Sequence, residues 1–174
     1  MPLEVEPVSI HGIWLRQSRS GSVALPERDP PPDSRWQRGS VVDGLYLADA
    51  AATAWAEWYR HLAELGLPPD HWLPSYLWRW RIDVEVADLR TEDRLARAGL
   101  PVPRPGRTTW PRFQAVGERL FAEGWPGLVA PSAARRSGLV LCLFRQGPKL
   151  NGATPVPRPR RITRAPAPPT GMRT

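Results

Sequence analysis

The sequence predicts a single α+β domain. Its 174 residues lie within the usual length of one domain, and a hydrophobic content of 41% is enough to bury one core. Hydrophobic patterns predict the order strand, long loop, strand, helix, strand, helix, helix, strand, strand. A doubly wound parallel sheet would require regular alternation of strands and helices, so we expect a mixed sheet with flanking helices instead.

The chain opens with an apolar stretch over residues 8–15, which predicts a strand ending near Arg16. The following residues, 18–33, are rich in proline and serine and predict a loop. Structureless loops of this length are uncommon in compact domains and are often functional. We therefore expect the loop to contribute to a site.

A second strand and a helix follow the loop. Within residues 41–49 the leucines point to one face of the strand and Tyr46 to the other, because side chains alternate along a strand. Asp49 is the expected N-cap of a helix over residues 50–65. Gly66, followed closely by two prolines, predicts the end of this helix.

The second half of the chain carries three more strands and two more helices. Residues 77–89 alternate between apolar and charged side chains, which predicts a strand with one wet face. Short helices are predicted over 91–98 and from about 111 to 123, each ending at a glycine. Residues 127–132 and 138–144 predict two short strands, and the second is apolar throughout, as in the centre of a sheet.

Residues 151–174 differ in composition from the rest, so the predicted division is a domain over 1–150 and a disordered tail over 151–174. This tail is rich in proline and arginine. It contains five arginines and no acid, so +5 of the formal net charge of +7 lies there and residues 1–150 carry only +2. A nearly neutral body argues against a polyanion-binding domain.

Several classes of protein are disfavoured by simple counts. No apolar run is long enough to span a membrane, and the N-terminus lacks the pattern of a signal peptide. The single Cys142 leaves no internal disulfide, so we expect a cytoplasmic protein. The histidines His11, His61 and His71 lie on different predicted elements, and no metal site is expected.

One arginine, one tyrosine and one glutamate, all residue types common in catalytic and binding sites, follow one another at equal spacing. Arg35, Tyr46 and Glu57 are separated by two steps of 11 residues. The arginine precedes the second strand, the tyrosine lies on its non-leucine face, and Glu57 lies at the edge of the apolar stripe of the following helix. All three could line one cleft, although each also has an ordinary structural interpretation as a loop cation, a core ring and a surface acid.

The segments SRWQRG, GLYLADAAATAWAE and GLVAPSA, in this order and followed by the apolar GLVLCLF, resemble the RES domain family, named for its Arg, Glu and Ser. The resemblance runs from about residue 12 to residue 144. It implies an ADP-ribosyltransferase-like fold, consumption of NAD⁺, and a toxin paired with a helix-turn-helix antitoxin of the Xre type. Nucleic acid would then be contacted only indirectly, through the antitoxin.

The resemblance also implies roles for individual residues. Arg35, Glu57 and Ser132 would be the catalytic Arg, Glu and Ser of the family. Tyr46 would be the active-site aromatic residue, and Arg16 a second cationic contact. Arg16, Arg35, Tyr46 and Ser132 would bind NAD⁺, with Ser132 on the nicotinamide side or on the path of the nucleophile.

These residue types suit cleavage of the nicotinamide N-glycosidic bond. A carboxylate such as Glu57 stabilises an oxocarbenium-like state, and guanidinium groups bind a pyrophosphate. The expected acceptor is water or phosphate. Protein mono-ADP-ribosylation by the same site, nucleic-acid binding by the basic tail, and an inactive interaction domain remain as alternatives.

Overall fold

The computed structural model describes residues 1–148 and 150–173 and forms an α+β domain with six strands and three α-helices in those residues. A short 3-10 helix over Pro69–Trp72 follows the first α-helix. The elements in chain order are β1 (Pro7–Ser18), β2 (Asp43–Ala48), α1 (Ala51–Leu65), β3 (Ser75–Asp88), α2 (Glu92–Arg97), α3 (Trp110–Ala122), β4 (Gly127–Pro131), β5 (Leu139–Arg145) and β6 (Ala153–Ile162). The expected class and the first eight of these elements are confirmed.

The strands form one mixed sheet that curls back on itself. Its order is β1-β2-β5-β4-β3-β6, and β1 also pairs with β3 along the whole of its length. The β3–β4 pair is parallel and the others are antiparallel. In the described part of the chain, β1 and β2 pair only at Leu15 and Ala48, so the ring of strands opens beside this pair. This opening makes room for a site.

Strand β3 follows the predicted alternation. Trp78, Trp80, Ile82 and Val86 are buried in the core, whereas Arg79, Arg81, Asp83 and Glu85 are exposed. Trp14 on β1, opposite Trp80, and Trp55 and Trp58 on α1 are buried as well. The tryptophans that the apolar pattern assigns to the core therefore lie there.

The ends of α1 agree with the sequence at one terminus only. Gly66 has the left-handed conformation, with φ 65°, and ends the helix as predicted. The expectation that Asp49 is the N-cap is wrong, because Ala50 occupies that position and no side chain caps the helix. Asp49 instead donates its N–H to Leu139 O at 3.1 Å, which continues the pairing of β2 with β5. At α2, the Thr91 side chain does cap the helix.

The expectation of disorder from residue 151 onward is wrong for residues 153–162, which form β6 on the outer edge of β3. Proline removes a backbone donor, yet Pro155, Pro157 and Pro159 stand at alternate positions. Because N–H groups alternate between the two sides of a strand, prolines at this spacing are tolerated on an edge strand and protect its free side from further pairing. Ala153 and Ile162 anchor the strand in the core.

Among the described residues, no helix combines the length and the apolar character that crossing a membrane requires.

Candidate active site

A cleft of about 300 Å³ opens where β1 and β2 part. Its walls come from these two strands, from α1 and from the loop that carries Arg35. A volume of this size lies at the lower end of the range for small-molecule sites. Four of the five site residues predicted from the sequence line the cleft, namely Arg16, Arg35, Tyr46 and Glu57. Ser132 lies directly behind Glu57.

The carboxylate of Glu57 is held on both of its oxygens. Ser132 Oγ donates to Glu57 Oε1 at 2.7 Å, and Arg60 Nε donates to Glu57 Oε2 at 3.0 Å. The backbone N–H of Ala134 also lies 3.4 Å from Oε1. One quarter of the Glu57 side chain remains exposed to solvent. The carboxylate is therefore fixed in orientation while one part of it faces the cleft.

Ser132 is fully buried, and its hydroxyl group has all of its capacity used. Its only proton goes to Glu57, while its oxygen accepts hydrogen bonds from Ala134 N at 3.1 Å and Arg135 N at 3.0 Å. The structure thus places Ser132 as the residue that orients Glu57. This position differs from the expected one beside the nicotinamide, where Ser132 would contact the ligand itself.

Arg35 is held in a loop that packs closely on α3. The neighbouring Trp36 is 2% exposed and contacts Phe113 edge to face at 5.0 Å. A Cβ at Gly117 of α3 would lie only 1.9 Å from Trp36 O, so glycine is required for this approach. The close contact fixes the position of the loop and of Arg35 next to it.

Arg35 is a buried residue, 7% exposed, and only some of its guanidinium donors have hydrogen-bond partners. Nη2 donates to Arg104 O at 2.6 Å, whereas the buried Nη1 has no hydrogen-bond partner among the described residues. Burial, reinforced by the Arg60 cation, lowers the pKa of Arg35 to about 10, which leaves it charged at neutral pH. Arg35 therefore offers a charged donor to the cleft.

Tyr46 ties its strand to the Arg35 loop. Its hydroxyl donates to Gln37 Oε1 at 2.5 Å and accepts from Trp36 N at 3.1 Å. Burial raises the pKa of Tyr46 well above its usual value, so the hydroxyl stays protonated. Gln37, which is 1% exposed, is a site residue that the spacing did not indicate. Its only sequence signal is its place directly after the Arg35-Trp36 pair.

A second group of cations surrounds Arg16. Arg16 Nη1 donates to Tyr46 O at 3.1 Å, and its buried Nε has no partner among the described residues. Arg28 from the long loop and Arg145 from β5 stand on either side of Asp43, at 3.5 and 2.7 Å from its carboxylate. Burial, followed by repulsion from Arg28, lowers the pKa of Arg16 to about 10.

This group, which we call the arginine cluster, comprises Arg16, Arg28 and Arg145 with Asp43 as its carboxylate. Arg28 and Arg145 pair with Asp43, and the Nε atoms of all three arginines, like Asp43 Oδ1, lack a hydrogen-bond partner in the described part of the chain. Such an excess of buried donors suits an anionic ligand. The sequence pattern missed Arg28 and Arg145, because they converge with Arg16 only through pairing of distant strands.

No cluster of three or more His, Cys, Asp or Glu side chains able to hold a metal ion occurs in the residues described.

Comparison with known proteins identifies the family. The family model of the RES domain matches residues 9–165 of the chain. This chain belongs to the RES domain family. The match extends beyond β6, so that strand lies within the RES domain.

Seven chains of solved structures match this RES domain. One belongs to the crystal structure of the M. tuberculosis MbcT–MbcA toxin–antitoxin complex, with a TM-score of 0.73 and 20% sequence identity over 90% of this chain and 87% of that chain. The similarity shows a shared fold. A search of curated proteins gave no match.

Proposed function

We propose that this RES domain cleaves the nicotinamide N-glycosidic bond of NAD⁺, with water or phosphate as the acceptor. The observation that carries the proposal is the hydrogen bond of 2.7 Å from Ser132 Oγ to Glu57 Oε1, which orients a partly exposed carboxylate into a cleft lined by cations. Membership of the RES family supports the same substrate.

Cleavage breaks the bond between the ribose C1′ and the pyridinium nitrogen. The bonding electron pair moves to the nitrogen and neutralises nicotinamide, while positive charge develops across C1′ and the ring oxygen. The Glu57 carboxylate stabilises this charge, and because it is already oriented by Ser132 and Arg60, little reorganisation is needed during the reaction. The acceptor then bonds to C1′, and when the acceptor is water its extra proton passes to the solvent.

The cations of the cleft would hold the rest of the substrate. Among the described residues, Arg35 and Arg16 each have a guanidinium nitrogen without a partner, and a pyrophosphate offers the oxygens that such groups bind. Since the Tyr46 hydroxyl already has two partners, this residue would contribute its ring, which can stack on a flat base or nicotinamide.

The direct test measures nicotinamide release from NAD⁺ by the purified protein. Glu57→Gln removes the negative charge with little change of shape, and we expect a loss of about 10²- to 10³-fold in kcat. Glu85→Gln, at an exposed carboxylate on β3, is the matched control. Undiminished release by Glu57→Gln would show that another group stabilises the developing charge.

We also propose that the protein is the toxin of a toxin–antitoxin pair, with an Xre-type helix-turn-helix antitoxin as its partner. The similar fold comes from a toxin–antitoxin complex, which supports this assignment. Induced expression in the cytoplasm should deplete NAD⁺ and stop growth, and the Glu57→Gln variant should do neither. Co-expression of a helix-turn-helix protein encoded beside it should restore growth.

Transfer of ADP-ribose to a protein would use the same residues with a different acceptor. Mass spectrometry of lysate incubated with the enzyme and NAD⁺ distinguishes the two reactions, because only transfer adds ADP-ribose to proteins. If modified proteins account for the nicotinamide released, the acceptor assignment to water or phosphate is wrong.

Nucleic-acid binding remains a second candidate because of how β6 packs. Arg160 of β6 stands opposite Leu77 of β3, and the register shifts before Arg79, which stands opposite Val156. Arg79 and Arg160 are both exposed, so arginines of the C-terminal region extend a cationic surface on the folded domain. Binding of DNA that falls steeply with salt and is lost in an R79S/R160S double variant would favour this function.

A further inference from the structure

The residues after β6 return to the site. We call residues 163–173 the strap. Near its start, Tyr59 Oη of α1 donates to Pro166 O. Near its end, the strap runs beside the turn over residues 132–136, which carries Ser132. Arg136 N donates to Gly171 O at 3.0 Å, and Arg173 N donates to Ala134 O at 2.8 Å.

The turn that the strap binds is the one that holds Glu57 and Ser132 in place. Ala134 N donates to Ser132 Oγ at 3.1 Å and lies 3.4 Å from Glu57 Oε1. The carbonyl of the same residue accepts the hydrogen bond from Arg173 N. Ala134 therefore contacts Glu57 and Ser132 with its N–H group and the strap with its carbonyl group.

The Arg173 side chain reaches a second segment of the site. Its Nη1 donates to Pro103 O at 2.7 Å. The next residue, Arg104, accepts the hydrogen bond of 2.6 Å from Arg35 Nη2 with its own carbonyl oxygen. One residue of the strap is thus bonded to the two segments that hold Glu57 and Arg35.

We propose that Arg173 is a positioning residue that locks the turn over 132–136 and the segment at 103–104 in their working arrangement. The inference rests on the proposed function, because positioning matters through the reaction that Glu57 and Arg35 perform. Its backbone N–H acts on the Glu57 side and its guanidinium acts on the Arg35 side. Displacements of about 1 Å in a site lower rates by about 10²-fold, so these bonds are sufficient to affect activity.

The two bonds predict two different kinetic effects. Arg173→Ala keeps the backbone N–H and loses the guanidinium, so the KM for NAD⁺ should rise about tenfold while kcat changes less than about twofold. A chain ending at Pro169 loses the bonds to the turn as well, and its kcat should also fall about 100-fold. Arg173→Lys keeps a cationic donor and should restore most of the KM.

Arg164→Ala is the matched control, because it removes an exposed arginine of the same strap. Equal KM values for Arg173→Ala and Arg164→Ala would overturn the proposal. So would full kcat in the protein that ends at Pro169.

Hydrogen exchange of the amides of Ala134 and Arg135 provides a readout that does not depend on NAD⁺. Exchange should be faster in the protein that ends at Pro169 and unchanged in Arg164→Ala. If the wild type releases no nicotinamide, the proposed function fails, and this exchange still decides whether the strap holds the turn. Unchanged exchange in the shortened protein would refute that role.

Discussion

The two ends of the cleft differ in how well their polar groups are satisfied. At the Glu57 end, both carboxylate oxygens and the Ser132 hydroxyl have protein partners. At the arginine cluster, Arg28 and Arg145 share the Asp43 carboxylate, and the Nε atoms of these two residues and of Arg16 have no partner in the described residues. A satisfied network fixes geometry before the ligand arrives, whereas unsatisfied buried donors cost stability until an anion binds. The first end therefore suits the proposed chemistry and the second suits binding of the proposed anionic substrate.

The largest expected effect on kcat comes from a substitution at the Glu57 end of the cleft. Ser132→Ala should lower kcat about 100-fold, because Glu57 loses the hydrogen bond that orients it. It should also lower the free energy of unfolding by about 1–3 kcal/mol for each group left unpaired, since Ala134 N and Arg135 N lose their acceptor. Nicotinamide release and chemical denaturation measure the two effects, with exposed Ser22→Ala as the control. Full activity in Ser132→Ala would mean that Arg60 and the Ala134 N–H suffice to orient Glu57.

A substitution in the arginine cluster should affect activity less than Ser132→Ala does, and it should not lower the stability of the free protein. Arg16→Met should raise the KM for NAD⁺ about tenfold, the magnitude expected for losing one charge-assisted hydrogen bond. The stability of the free protein should be unchanged or higher, because removal of one cation relieves repulsion from Arg28. Steady-state kinetics and thermal unfolding test this. A large fall in melting temperature would show that the cluster is structural.

Added pyrophosphate should stabilise the protein through the arginine cluster. An anion that binds only the folded state raises the melting temperature, and at 100 times its Kd it contributes about 2.7 kcal/mol. We expect pyrophosphate to raise the melting temperature of the wild type and to change that of Arg16→Met little. Ser132→Ala starts from a lower melting temperature, and pyrophosphate should raise it by as much as in the wild type. Differential scanning fluorimetry at constant ionic strength gives the comparison. An equal rise in all three proteins would place the anion elsewhere.

The smallest effect is expected at the rim of the cleft. His61 lines the opening, and partial desolvation together with the Arg60 cation lowers its pKa below the usual value near 6.5. We expect His61→Asn to change kcat/KM less than about twofold, since the wild-type ring contacts Trp72 rather than Glu57. The pH profile between 7 and 9 should also be unaffected.

The lowered pKa of His61 also determines the direction in which the free energy of unfolding changes with pH. The unfolded state binds the His61 proton more readily than the folded state, so acidification through pH 6.5 lowers the free energy of unfolding. His61→Asn should reduce this dependence. A stability profile that is steeper in the variant would contradict the lowered pKa of His61.

The sequence predicted most of the candidate site by residue type and less of it by role. Glu57, Arg35, Tyr46 and Arg16 line the cleft as expected. Ser132 was expected to contact the ligand, whereas its buried hydroxyl donates to Glu57 and its neighbours Pro131 and Ala133 line the cleft. Spacing along the chain can bring two residues to one face, but it does not say which of them stands in front.

What the sequence by itself determined were features that depend on neighbours along the chain. Alternation identified the core face of β3, and a glycine in the left-handed conformation ended α1. Composition suggested disorder after residue 150, yet the tertiary structure pairs β6 with the edge of β3 and returns the strap to Ser132. The reason is physical. Periods of 2 and 3.6 residues are local, whereas pairing depends on which edge and which unsatisfied groups the rest of the fold presents.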